Sequence, residues 1–172
     1  MINKLSERVD KMAQEVEATA KQVKATTRSL GDLNNRLGEI VEHLMSPDLR
    51  AKFYALGYHF DYVSRDYEVG DGHGRNIAEV DVFLGNREFA MAVEVKTKLT
   101  QDHVDEHLKR MERLRHRADE LQETRKYLGA VASVVIKDEV KNYALVHGLF
   151  VIEQSGDTVH IEPPAPDKLR QW

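Results

Sequence analysis

The sequence of 172 residues contains no cysteine. It therefore cannot form disulfides, thiolate zinc sites or cysteine nucleophiles, and this absence fits the reducing cytoplasm, where we expect the protein to reside. No apolar run approaches the roughly 20 residues that a membrane-spanning helix needs, so we expect no contact with a membrane. The first ten residues are rich in charge and lack the apolar segment of a secretory signal.

The sequence also lacks an excess of positive charge, since its formal net charge is -4 with 31% charged residues. A groove that follows nucleic-acid phosphates usually leaves a basic signature in the composition. The net charge alone therefore does not favour a nucleic-acid-binding protein. It does not exclude one either, because the field at a binding surface depends on local charges more than on their sum.

Proline is scarce, and none of the four prolines precedes position 47. Within this segment apolar residues recur at alternating steps of three and four, which is the heptad pattern of a coiled coil. One seam position holds Ile2, Val9, Val16, Val23, Leu30, Leu37 and Leu44, and the other holds Leu5, Met12, Thr19, Thr26, Leu33 and Ile40. The pattern predicts a helix of about 64 Å that ends at Ser46-Pro47, because a residue before proline avoids helical backbone angles.

Residues 1–46 are therefore predicted to be a coiled-coil oligomerisation helix, in which residues 2–44 pair copies of the chain. Branched residues at one seam position with Leu or Met at the other favour dimers. Small residues flank the seam and would admit a third or fourth helix, so the copy number stays open. These flanking residues are Ser6, Ala13, Ala20 and Thr27. The alternative is a helix that folds back on its own domain.

Residues 47–162 are predicted to form an α/β domain, and residues 163–172 a proline-rich tail that is frayed. The predicted order is helix, three strands, helix, strand, helix, strand, strand. This order predicts an antiparallel hairpin that leads into parallel crossover units. Thr100 is predicted to cap the central helix.

Two neighbouring predicted strands carry charges where apolar residues are usual. Alternation puts Glu79 and Asp81 on one side of their strand, and Glu94 and Lys96 on one side of the next. A four-residue turn or a bulge near Gly85 would make Asp81 and Glu94 diagonal neighbours at roughly 7 Å, whereas a two-residue turn would keep them apart. Two carboxylates at that range can share a hard cation such as Mg²⁺. Lys96 would then orient a water or stabilise charge on an attacked phosphate.

The predicted second core strand carries an acid, Asp81, and the third carries Glu94-Val95-Lys96. A helix and a parallel strand follow. This arrangement resembles the PD-(D/E)XK nuclease superfamily. The resemblance covers about residues 47–162 and looks closest to bacterial members that carry a coiled coil in front of a nuclease-like domain. It implies a restriction-endonuclease-like α/β fold, a mixed sheet flanked by helices, and hydrolysis of DNA phosphodiesters with Mg²⁺ or Mn²⁺. It also implies that Asp81, Glu94 and the carbonyl of Val95 hold the metal, and that Lys96 assists hydrolysis.

Many members of this superfamily place a further acid on the first helix, and the proline that often precedes the first strand acid is absent here. Glu39, Glu42 and Asp48 are the helical candidates, and Glu42 is preferred. Glu79 is the alternative, because it lies on the same strand as the first acid. Lys98, just after the motif, is a candidate phosphate contact.

Two other interpretations of these residues stay open. Asp81, Glu94 and Lys96 also fit cross-strand ion pairs on a solvent-facing surface, worth about 0.2–1 kcal/mol each. A nuclease-like fold that has lost catalysis would instead serve as a coiled-coil scaffold or a protein-interaction module.

The helix that follows the motif carries two further patterns. His103 and His107 have a spacing that can bind zinc, but no third ligand is evident, and solvated side chains are the simpler interpretation. A basic cluster on this helix is nearly balanced by acids, which favours a solvated face over a surface for phosphates. The cluster consists of Lys109, Arg110, Arg113, Arg115 and Arg117.

Overall fold

The computed structural model describes residues 2–156 and 158–172, with side chains from Arg8 onward. The chain divides into two compact units, Met1–Asn35 and Arg36–Trp172. One helix, α1 (Ile2–Met45), contains nearly all of the first unit and the beginning of the second. The seam residues Ile2 and Leu5 and the flanking Ser6 lie outside the described side chains. No helix among the described residues combines the length and apolar character that a membrane span requires.

The first unit is helical, which confirms the predicted long N-terminal helix. The heptad seam of this helix is exposed in the single chain. Five large apolar side chains of the seam are each 57–67% exposed. They are Val9, Met12, Val16, Val23 and Leu30. The seam residue Thr19 donates its hydroxyl to the carbonyl of Glu15 at 2.8 Å, so this polar group is satisfied within the helix.

The second unit is a six-stranded mixed sheet with helices on both faces, which confirms the α/β class. Its elements are α2 (Pro47–Ala55), β1 (Tyr62–Gly70), β2 (Asn76–Gly85), β3 (Phe89–Lys98), α3 (Gln101–Glu120), β4 (Lys126–Val135), α4 (Asp138–Val146), β5 (Phe150–Ser155) and β6 (Thr158–Glu162). The strands follow one another across the sheet in chain order. Strand β2 is antiparallel to β1 and β3, the strands β3, β4 and β5 run parallel, and β6 is antiparallel to β5.

One face of the sheet is covered by α2 and by the last turns of α1. Ile40 and Leu44 of α1 are fully buried in the same cluster as Val93 and Val95 of β3, and Leu37 packs against this cluster. The second unit accordingly begins at Arg36, within α1. The last seam residues, Leu37, Ile40 and Leu44, contribute to the core of the second unit. Over its last turns α1 therefore packs against its own domain, as in the alternative interpretation of the heptad pattern.

The other face is covered by α3. Met111, Leu114 and Ala118 pack on the small side chains Ala90 and Ala92 of β3. The even-numbered residues at this end of β3 therefore point toward α3, and the odd-numbered ones toward α1 and α2. This arrangement places Glu94 on the face that α3 covers.

The start of α3 is held by a reciprocal cap, as predicted for Thr100. The Thr100 hydroxyl accepts a hydrogen bond from the His103 amide, and the Thr100 amide donates to Nδ1 of His103, both at 3.3 Å. Such a cap contributes about 1 kcal/mol and fixes where the helix begins. His103 is therefore engaged at the helix terminus rather than solvated.

The C-terminal tail is docked, and the prediction of a frayed tail is wrong. The amide and carbonyl of Trp172 bond to the carbonyl and amide of Tyr127 at 3.0 and 3.1 Å. The Trp172 ring packs against the cluster under α3, and the Arg170 guanidinium lies over that ring at 4.7 Å. These contacts fix the end of the chain beside the start of β4, which sequence patterns of proline and charge do not reveal.

Candidate active site

The hairpin between β2 and β3 sets the register of the candidate site. The two strands pair from Gly85 opposite Ala90 to Val82 opposite Val93, so four residues connect them. Continuing this register by one residue would place Asp81 opposite Glu94. This extended register differs from the diagonal arrangement that the sequence predicted for the two acids. The pairing ends at Val82 and Val93, and the site lies just beyond its last pair.

Strand β2 is irregular at the same point. In the neighbouring strand β1, Asp66 has a φ of 48°, which lies in the left-handed backbone region that residues other than glycine rarely adopt. Val80 and Phe83 both pack in the cluster under α3, although strict alternation would put them on opposite faces. Between Val80 and Phe83 the alternation of side chains between the two faces of the sheet is therefore interrupted. Asp81 lies within this interrupted segment.

Asp81 uses its carboxylate to bond the neighbouring strand. Its Oδ2 accepts a hydrogen bond from the backbone amide of Val95 at 2.7 Å, and the side chain is half-buried. Burial raises the pKa of Asp81 above its ordinary value, and the charge of Glu94 raises it further. The Val95 amide and the charges of Lys96 and Arg110 oppose this rise without cancelling it.

Glu94 is the most deeply buried acid of the site, with only 3% of its surface exposed. The Lys96 ammonium lies 2.5 Å from Oε1, and Nη1 of Arg110 contacts Oε2. Burial alone would raise the pKa of Glu94, but the hydrogen bond from Lys96 and the charges of Arg110 and Lys96 outweigh burial and lower it. Two neighbouring carboxylates therefore have pKa values shifted in opposite directions, because only Glu94 is paired directly with two cations.

Two residues of α3 complete the site, and their role was not predicted from the sequence. His107 is fully buried, its Nε2 donates to the carbonyl of Ala92 at 3.1 Å, and its Nδ1 accepts from Nη1 of Arg110 at 3.1 Å. A carbonyl only accepts hydrogen bonds, so the proton belongs on Nε2 and the neutral ring can accept at Nδ1. His107 thereby holds the guanidinium that contacts Glu94.

The expectation of a solvated His107 is wrong, and helical periodicity contains the signal that corrects it. His107 lies three residues after Val104 and four before Met111, both of which are fully buried. It therefore falls on the inward stripe of α3. Arg110 is one turn further on and reaches the same end of β3. Since His107 is used in this way and His103 caps the helix, the two histidines do not form a metal site.

The additional acids proposed from the sequence lie elsewhere. Glu79 is exposed and stands opposite Glu68 of β1, and Glu42 is exposed on α1. Glu39 accepts a hydrogen bond from Gln154 at 2.9 Å, and Asp48 pairs with Lys52 at 3.0 Å. Across residues 2–156 and 158–172 no group of three or more metal-ligating His, Asp or Glu side chains comes together. The site that the structure describes contains a pair of carboxylates, Asp81 and Glu94.

The basic residues divide into two groups. Lys98 is exposed at the end of β3, two residues beyond Lys96 and hence on the same side of the strand by alternation. Arg115 instead bonds Asp119 and the carbonyl of Glu123, and Arg117 pairs with Glu120 at 2.8 Å. The predicted solvated basic face is therefore partly wrong, because these arginines hold the end of α3 in place.

The donor set fits a hard divalent cation. Asp81 uses Oδ2 for the Val95 amide, which leaves its Oδ1 for a cation, whereas both oxygens of Glu94 are paired with Lys96 and Arg110. Mg²⁺ in proteins is commonly held by one or two carboxylates, with waters and substrate phosphates completing its shell. A cation would also relieve the repulsion between the two acids, which contributes to the raised pKa of Asp81.

The burial of His107 has a measurable consequence for acid stability. Burial lowers the pKa of His107 from 6.5 to about 4, so the unfolded chain takes up this proton at a higher pH than the folded chain does. The contribution of His107 to stability is complete above the unfolded pKa and is lost as pH falls toward the folded one. Lowering the pH from about 6.5 to about 4.5 should therefore reduce the free energy of unfolding by about 2 kcal/mol through this residue.

Urea unfolding across this pH range measures the effect. His107→Gln should flatten the pH dependence, whereas the same change at the exposed His116 should leave it intact. An equally steep fall in the His107→Gln variant would show that other groups dominate acid unfolding.

No protein-family model, curated protein or solved structure matches this chain.

Proposed function

We propose that the second unit is a divalent-cation-dependent hydrolase of DNA phosphodiesters, with a restriction-endonuclease-like fold and Asp81, Glu94 and Lys96 as its site. The observation that carries this proposal is the hydrogen bond from the Val95 amide to Asp81. It ties the first acid to the backbone between Glu94 and Lys96, so the three side chains of the motif meet at one place. The raised pKa of Asp81 and the lowered pKa of Glu94 are typical of a functional site.

Each residue has a role that follows from its surroundings. Asp81 and Glu94, together with the Val95 carbonyl, would hold Mg²⁺ or Mn²⁺, which activates a water and polarises the phosphate when bound. Lys96 is one-third exposed, so its ammonium can reach a substrate at the surface while it remains beside Glu94. Its positive charge would stabilise the charge that develops on the phosphate during attack. Lys98, further along the strand, would contact the neighbouring backbone phosphate.

A second function is favoured by the ion pairs of Glu94. Both of its oxygens already meet protein cations, which is also how a purely structural buried acid is satisfied. In this alternative the domain has no catalytic activity and serves as a scaffold or interaction module that α1 assembles into oligomers.

A cleavage assay discriminates between the two functions. Purified full-length protein is incubated with supercoiled and branched DNA in the presence of Mg²⁺, Mn²⁺ or EDTA. The hydrolase predicts nicked or cut products with either metal and none with EDTA. Glu79→Gln provides a matched control, because it removes an exposed carboxylate from the same strand and should cleave like the wild type. Absence of cleavage with both metals would favour the scaffold.

We also propose that the first unit joins copies of the chain through the exposed seam of α1, from Val9 to Leu30. Five exposed apolar side chains at heptad spacing form a stripe of the kind that a second heptad helix covers. A second copy of this chain carries the same repeat and is the partner that matches it. Leu37, Ile40 and Leu44 are excluded from this interface, because they pack within the second unit.

Val16→Glu combined with Val23→Glu should therefore dissociate the protein. Charges at two seam positions are costly to bury, and the mass measured by light scattering should fall to the 19.7 kDa of one chain. Gln14→Glu combined with Arg28→Glu is the control, since both positions lie opposite the seam by heptad phase and should leave the mass unchanged. A seam variant that keeps the oligomeric mass would show that α1 is not the interface.

A further inference from the structure

The guanidinium of Arg110 binds the same carboxylate, Glu94, that a metal ion would bind. Nη1 of Arg110 contacts Oε2 of Glu94, while Lys96 contacts Oε1 from the same strand. The Arg110 side chain is 18% exposed, so its charge is largely removed from water and depends on this carboxylate for neutralisation. A cation that binds Glu94 must therefore displace or repel a positive charge that the protein supplies.

Arg110 and Lys96 contact Glu94 from different elements of the fold. Lys96 is anchored two residues from Glu94 on β3, and its side chain is 34% exposed. Arg110 reaches across from α3, and the partners that the structure gives its guanidinium are Glu94 and Nδ1 of His107. The neutral ring of His107 accepts at Nδ1, so Arg110 has a second partner that does not depend on Glu94.

We infer that Arg110 is the internal counter-ion of Glu94, that it competes with the divalent cation for this carboxylate, and that after displacement it contacts the substrate phosphate. His107 acts as its positioning residue. The inference rests on the proposed function, since it assumes that Asp81 and Glu94 bind a cation. It adds a residue that lies outside the sequence motif and comes from the helix that covers the site.

Calorimetric titration of the DNA-free protein with Mn²⁺ alone tests the competition. Arg110→Gln removes the positive charge and should bind Mn²⁺ about tenfold more tightly than the wild type. Arg110→Lys keeps the charge and should bind more weakly than Arg110→Gln, which separates loss of charge from loss of packing. Arg113→Gln, an exposed arginine on the same helix, should bind like the wild type. Equal or weaker Mn²⁺ binding by Arg110→Gln would overturn the inference.

Cleavage at saturating Mn²⁺ tests the second half of the inference. Arg110→Gln should cleave DNA at least tenfold more slowly than the wild type although its metal site is filled, because the phosphate has lost a contact. An undiminished rate would overturn the phosphate contact. The proposed function fails in a different way: the wild type itself would neither bind Mn²⁺ nor cleave, and the inference would fall with it.

Discussion

Asp81→Asn is expected to abolish cleavage and at the same time to make the fold more stable. Under the proposed function Asp81 holds the cation, so loss of this carboxylate should lower the rate by about 10³-fold or more. The fold should nevertheless tolerate the change, because the Asn side-chain carbonyl can still accept the hydrogen bond from the Val95 amide. A single substitution would thus have opposite effects on activity and stability.

The gain in stability follows from the direction of the pKa shift. Burial raises the pKa of Asp81 in the folded state, so the stability associated with this group is present at low pH and is lost as pH rises through the folded pKa. At pH 7 the folded chain therefore carries an unfavourable charge that Asn lacks. The side chain is only half-buried and solvent screens part of this cost, so we expect a gain of about 1 kcal/mol, or roughly 2–4 °C in Tm.

Thermal unfolding at pH 7 in EDTA and in Mg²⁺ measures this effect. The wild type should gain stability from Mg²⁺, because a ligand that binds only the folded state shifts the equilibrium toward it. Asp81→Asn should be more stable than the wild type in EDTA and gain little from Mg²⁺. A variant that is less stable than the wild type in EDTA would show that Asp81 is a structural acid, as in the scaffold alternative.

Glu94→Gln is expected to have the opposite effect on stability and to destabilise the second unit by about 3 kcal/mol. Removing one partner of a buried ion pair leaves the other charge uncompensated, and here two cations, Lys96 and Arg110, lose their shared carboxylate. Arg110 is the more deeply buried of the two and should account for most of the loss. The change corresponds to a Tm lower by roughly 6–12 °C for a chain of this length.

Urea unfolding at pH 7 tests this prediction, with Glu79→Gln as the exposed control on the neighbouring strand. The control should remain within about 0.5 kcal/mol of the wild type. If Glu94→Gln also lost less than this, the two ion pairs would contribute little, as exposed pairs do. Restoring stability with the double variant Glu94→Gln, Arg110→Gln would show that the loss comes from the unpaired guanidinium.

Local patterns predicted the elements of this protein well, because they depend on neighbours along the chain. Thr100 caps α3 as expected, and the helix that precedes Pro47 ends at Met45. Asp81 and Glu94 were expected on adjacent antiparallel strands, which the pairing of β2 with β3 confirms. The motif Glu94-Val95-Lys96 could be located because its spacing within one strand does not depend on the rest of the fold.

Contacts between distant segments could not be predicted from those patterns. The register at Asp81 depends on a four-residue turn and on an irregularity opposite Asp66, and neither has a strong sequence signal. Arg110 and His107 approach Glu94 only because α3 packs on the small side chains of β3. The third acid expected from the resemblance is not brought to the pair, since Glu39 and Asp48 have partners at β5 and β6.

The sequence by itself determined the long heptad helix, the α/β class and the positions of the two strand acids, because each follows from periodicity or from short-range turn chemistry. Only the tertiary structure decided that the end of α1 is part of a core, that Glu94 is buried between two cations, and that a neutral histidine holds one of them. The physical reason is that burial and ion pairing depend on which distant surfaces pack together. The charge pattern along the chain shows which residues are acidic and basic. The packing of α3 against β3 decides which of these side chains form ion pairs.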